Sequence, residues 1–293
     1  MSKYLKSKIW LLGLALAFSS PAARSGVPLT NLQGVGGVAF NPLAYPGGRY
    51  PTEDATPEKD KDGKEIKKDS SISDVFSRPQ VGVWYTHLGK TDIDWGTAGI
   101  NETLFKRLEL SYGYEQIKLP NSNIEKNNFG AKFLLLEENY GGQKWVPAIS
   151  VGTIWKTTDA SLPVPKSTGS GYDAYLVASK LITQTPRPIL LSGGLLWTDE
   201  IVTGVMGHDQ DRDLTWFGNV DVLPFDFLAV GLEYKQGARY SDVNNANYWD
   251  AHVAWFVNSQ LTLVAAYVNA GDDKSTRSVG LGDGFVLSAQ YQF

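Results

Sequence analysis

The chain has 293 residues, no cysteine and a formal net charge of −4, which excludes a disulfide framework and a thiolate metal centre and argues against nucleic acid as a partner. Beyond the first residues, no apolar run approaches the roughly 20 residues that a membrane helix needs. What remains is a large soluble β domain or a membrane β-barrel.

At the N-terminus, Lys3, Lys6 and Lys8 precede the apolar run IWLLGLALAF, and SSPAARS then places Ala23 and Ser25 where a signal peptidase reads small residues. Residues 1–25 are expected to be a secretory signal peptide, with 26–293 as one domain. Losing Lys3, Lys6, Lys8 and Arg24 takes the charge from −4 to −8. From there the pattern is period-two alternation in segments of about ten residues bounded by Gly, Asn, Asp or Pro. They fall near 34–45, 79–88, 104–115, 128–138, 144–156, 171–183, 187–198, 214–223, 227–236, 247–257, 260–269 and 284–293. A tilted membrane strand needs about 9–11 residues, whereas strands of soluble domains run to about 5 or 6.

The connections between these segments alternate in length. NYGGQ, TQTPR, PFD and NSQ are short, and the intervening ones are long and polar. An even number of antiparallel strands with short turns on one side and long loops on the other is the pattern of outer-membrane barrels. The expected fold is therefore an all-β transmembrane antiparallel barrel of about twelve strands, in the outer membrane of a Gram-negative bacterium. Residues 46–78, rich in charge, are expected to be a flexible outer loop. The connection at 89–103 departs from the pattern: a short turn is expected there, and it is instead long enough to be a plug.

Aromatic placement points the same way. Trp145 and Trp155 share a phase ten residues apart; at about 3.4 Å per residue and a tilt of about 40° they are separated by roughly 26 Å along the membrane normal, close to the apolar band of such barrels. Trp249 and Trp255 repeat the arrangement, and Tyr291 and Phe293 end an alternating strand, GFVLSAQYQF. These six residues are the expected aromatic girdle. The last strand also resembles the C-terminal signal by which outer-membrane proteins engage the barrel-assembly machinery, which makes that machinery and outer-membrane lipid the expected partners. More broadly, TNLQGVGGVAFNPLAY, RPQVGVWYTHL and DIDWGTAGINETLFKRLELSYGYE resemble a family of proteobacterial outer-membrane barrels carrying a domain of unknown function. That resemblance implies a location and a fold, with no activity to carry over.

If the apolar phase faces lipid, the opposite phase faces the lumen. That assigns Arg107, Glu109, Asp221, Glu233, Asp250 and His252 to a pore wall, with Glu233 near Asp250 and His252 one pleat deeper. The leading function is a narrow channel for a small solute, biased by these charges. Two rivals are a barrel enzyme acting on lipid or surface peptide and a closed structural barrel with its lumen plugged by residues such as 46–78. The Asp250–His252 pair suits a general base, yet no inward serine is tied to it by spacing, so no catalytic residue and no cofactor are assigned. In HDQDRD, residues His208, Asp209 and Asp211 form a weak metal candidate that fits no defined ion-binding loop. GVGG at 34–37 lacks the strand and helix of a phosphate-binding loop.

Overall fold

In the computed structural model the residues described are 29–50, 75–159, 166–209, 211–271 and 278–293. The signal-peptide expectation at 1–25 lies outside them, as does most of 46–78. Twelve antiparallel strands close into one barrel: β1 Gln80–Leu88, β2 Ile93–Leu104, β3 Leu108–Leu119, β4 Ser122–Leu136, β5 Ala148–Thr158, β6 Ser170–Ile182, β7 Ile189–Thr198, β8 Asp213–Phe225, β9 Leu228–Lys235, β10 Tyr248–Phe256, β11 Leu261–Asn269 and β12 Asp283–Gln292. Closure joins β12 to β1, with Gln292 opposite Gln80 and Gly284 opposite Leu88. No backbone edge is left in the wall, as lipid requires. Among the described residues no helix is long and apolar enough to cross a membrane.

Alternation sorts the side chains. Val83, Leu110, Phe129, Leu195, Trp216 and Leu232 are exposed on the outside, while Trp84, Glu109, Asn128, Leu196, Thr215 and Glu233 are buried inside. The turns 105–107, 137–147, 183–188, 226–227 and 257–260 lie at the rim that carries the end of β12, called here the C-terminal rim. The connections between β5 and β6, β7 and β8, β9 and β10, and β11 and β12 lie at the opposite rim.

Two sequence expectations about elements are corrected. Residues 34–45 are not a barrel strand. They belong to a folded segment, 29–50, that sits inside the lumen and turns repeatedly through short bridges such as Thr30 to Gly36 and Gly37 to Pro42. Residues 89–103 are neither a turn nor a plug, because most of them form β2. One false strand and one missed strand cancel, which preserves the number twelve. Of residues 46–78, expected to be an outer loop, only the two ends are described. Arg49 bridges Arg78 and the Ser77 amide donates to Thr103 O at 2.8 Å, so both ends lie at the C-terminal rim, opposite the long loops.

At the opposite rim the β7–β8 connection folds inward. Glu200–Ile201 and Ser167–Thr168 flank Met206–His208 in a small sheet, and Ile201, Val202, Val205 and Met206 join Trp84, Leu88 and Trp95 in one buried apolar cluster. The barrel is thus filled by 29–50 and capped by 199–208.

Candidate functional site

The lumen segment is held mainly through its backbone. Glu109 accepts from the Gly36 amide at 2.8 Å and the Gly47 amide at 2.6 Å. Lys132, paired with Glu109 at 2.8 Å, donates to Gly36 O and Tyr45 O, both at 2.9 Å. Across the barrel Glu233 accepts from the Ala39 amide at 3.0 Å and the Phe40 amide at 2.8 Å. Gln290, Ser179 and Asn101 add further contacts, to Thr30 N, Ala44 N and Gly34 O.

Close approach requires glycine on both sides. A Cβ on Gly113 of β3 would meet the Gln33 carbonyl oxygen at 2.5 Å, and one on Gly99 of β2 would meet Gly34 Cα at 2.7 Å. Gly34 itself has φ +87°, a left-handed conformation that side-chain-bearing residues rarely adopt. Gly34 therefore lies flat against a wall floored by Gly99 and Gly113, whereas Gly36 makes room for the Glu109 carboxyl.

Nearer the capped rim lies a buried ionic network. Lys126 pairs with Glu115 at 2.8 Å, and Trp95 Nε1 donates to the same carboxylate at 2.9 Å. Lys156 pairs with Asp173 at 2.5 Å and Glu200 at 3.3 Å, and Lys235 with Glu200 at 3.0 Å. Burial opposes ionisation of Glu200, but the Lys235 and Lys156 ammonium groups outweigh it and bring its carboxyl down to about 2. Tyr240 OH and Asn245 Nδ2 donate to its carbonyl at 3.1 and 2.8 Å, tying the cap to the β9–β10 connection.

The residues singled out in the sequence fall as follows. Glu109, Asp221, Glu233, Asp250 and His252 are buried on the inner face, and the register sets Glu233 directly opposite Asp250, with His252 opposite Gly231. His252 Nδ1 lies 2.7 Å from Asp250 Oδ1 and Nε2 lies 2.7 Å from Asp221 Oδ1. Both ring nitrogens are engaged by carboxylates, and Glu233 is engaged by the lumen segment. Arg107 is not on the inner face. It lies in the β2–β3 turn, where Phe105 and Lys106 have positive φ, and its guanidinium meets the exposed Glu137 at 2.8 Å.

Trp155, Trp249, Trp255, Tyr291 and Phe293 are exposed on the outer face. Trp145 is exposed as well, but it precedes β5 and sits in the β4–β5 turn. Of the metal candidates, His208 and Asp211 come together with Asp242, whereas Asp209 does not join them. His208 Nε2 lies 3.0 Å from Asp242 Oδ1, and its ring stacks on Tyr240 at 4.3 Å. Lys166 Nζ, 3.5 Å from Asp242 and 3.9 Å from Asp211, already brings positive charge to these carboxylates.

The lumen lysines were missed in the sequence. They were findable: Lys126 and Lys132 lie opposite in phase to Phe129 and Phe133, and Lys156 follows Trp155. The phase rule that assigns Glu109 inward assigns them too.

Residues 71–288 match the family model described as protein of unknown function, DUF3034. The chain belongs to that family. No curated protein matches it in sequence. Among solved structures it is similar to the KdgM porin at 14% identity, covering 73% of this chain and 99% of that one with a TM-score of 0.49. For the NanC porin the figures are 12%, 73% and 98%, with a TM-score of 0.47. For the Escherichia coli outer membrane phospholipase A they are 10%, 78% and 94%, with a TM-score of 0.41.

Proposed function

We propose that the protein is an outer-membrane channel for small solutes, with the C-terminal rim in the periplasm, held shut at rest by residues 29–50. The observation that carries this reading is the way the lumen segment is bound: Glu109, Lys132 and Glu233 grip its backbone by hydrogen bonds. A contact of that kind can be exchanged for water when the segment leaves. The wall it would uncover is polar and charged, with acidic and basic side chains alike, as a path for hydrated solutes requires. Opening then amounts to shifting a two-state equilibrium, and about 1.4 kcal/mol changes the open fraction tenfold.

The test is conductance in a planar bilayer. Wild-type protein is expected to be mostly closed, and Glu109→Ala combined with Glu233→Ala should raise the mean conductance by about tenfold or more, since four hydrogen bonds from the segment's backbone are lost. A folded double variant that conducts nothing would favour a closed structural barrel. The assembly machinery enters the proposal through β12. Deleting Phe293 should lower outer-membrane levels several-fold while refolding in detergent stays near normal, because even full burial of an aromatic contributes only about 1.5–3 kcal/mol and Phe293 is exposed on the outer face. Normal membrane levels would remove that role.

A further inference from the structure

Between the lumen segment and the wall at the C-terminal rim lies a cavity of about 340 Å³. Its character differs from the charged lumen above it. Leu43 of the segment faces Leu190, Leu223, Ala254, Phe256 and Val264 of the wall. Leu190, Leu223 and Phe256 are only partly buried and stand at the strand ends, which places the cavity at the C-terminal rim. Polar groups interrupt the lining, and the charged ones are engaged: His252 lies 2.7 Å from Asp221, Glu138 pairs with Lys180 at 2.8 Å, and Lys106 sits over the Tyr50 ring. Gln80 and Gln290, each 1% exposed, border the cavity. Gln80 Oε1 and Gln290 Nε2 find no hydrogen-bond partner, although Gln290 Oε1 accepts from the Thr30 amide.

An acceptor and a donor left unmatched on adjacent strands, at the edge of an apolar cavity, are complementary to one chemistry. We propose that this cavity binds a small uncharged amphiphile, its apolar body against the leucines and Phe256 and a hydroxyl or carboxamide head between Gln80 and Gln290. A hydroxyl both donates and accepts, and so answers both glutamines. A carboxylate head has no proton to donate to Gln80 Oε1 and so answers only one of the two glutamines. The volume lies within the range of small-molecule pockets, and such pockets combine a mostly apolar lining with a few placed polar groups. Binding here requires no opening of the barrel, so it stands apart from the channel reading.

The probe is 1-hexanol, titrated against full-length mature protein in lipid nanodiscs and followed by saturation-transfer NMR, with empty nanodiscs as the background. Lipid is used because detergent is itself an amphiphile and would compete. Saturable binding above the background is expected, with hexanoate at least tenfold weaker. Ala254→Phe, which fills the cavity, should abolish saturation, and Gln80→Leu should weaken hexanol about tenfold while leaving the apolar wall intact. Heat-modified gel migration establishes that each variant is folded. Signal no greater than in empty nanodiscs, hexanoate binding equal to hexanol, or unchanged saturation in the folded Ala254→Phe protein would each overturn the site.

Discussion

Replacing Lys132 with Met should free residues 29–50 and destabilise the barrel by about 3–5 kcal/mol, the range found when one partner of a buried pair is removed. Lys132 and Glu109 are both buried, and Lys132 is the shared donor to Glu109, Gly36 O and Tyr45 O. Met occupies a similar volume, so packing is nearly unchanged and the loss is electrostatic. What remains is a buried carboxylate beside two carbonyls that have lost a donor. The readouts are the urea midpoint of the refolded barrel and chymotryptic cleavage after Phe40, which the lumen shields in wild type. Destabilisation with no new cleavage would make the pair a structural element of the wall, unrelated to release of the segment. Neither change would mean that the segment is held elsewhere.

That prediction depends on a segment the sequence misreads, and the misreading has a physical cause. Period-two alternation records which side chains are buried; it does not record the length of the backbone ladder. In 34–45, Val35 and Leu43 in one phase and Val38 and Ala44 in the other are all buried, so the apolar residues there record burial inside the lumen on both sides and no strand. Three glycines in four residues, with Pro42 and Pro46 close behind, are the signal against a strand. The opposite error occurs in β2. Its outward positions Asp94, Gly96, Ala98 and Glu102 are small or polar, and its Trp95 points inward to Glu115, so the apolar face that marks a lipid-exposed strand is weak.

Where the outer face is strongly apolar, phase reads the lumen well. Val230, Leu232 and Val253 point out, and Glu233, Asp250 and His252 are buried. Arg107 escapes the rule because a turn with positive φ at Lys106 ends the alternation before it. The ion pairs themselves were not legible. Lys156 and Glu200 are 44 residues apart in sequence, and only the inward fold of the cap brings them together.

The cap yields the second large effect, read through pH. Glu200 has a carboxyl at about 2 in the folded protein, below the ordinary glutamate value of about 4.3. A depressed carboxylate contributes stability that is fully present above its unfolded value and is lost as pH falls through its folded value. The window is therefore between about pH 4.5 and 2, and the contribution is roughly 3 kcal/mol. Glu200→Gln should lower the stability of the barrel by about that amount at pH 7, since Lys235 then loses its carboxylate partner while Lys156 keeps Asp173. On acidification the wild type must lose this increment and the variant has none to lose, so the two urea midpoints should converge toward pH 2. The other carboxylates titrate in both proteins and cancel in the difference. Because Glu200 lies in the cap, the same variant should also raise hydrogen exchange at Ile201 and Val202, whose burial in the apolar cluster depends on the anchored carboxylate. A gap that stays constant from pH 7 to pH 2 would show that Glu200 contributes shape and hydrogen bonds alone, and that the charge network beneath the cap does not hold it in place.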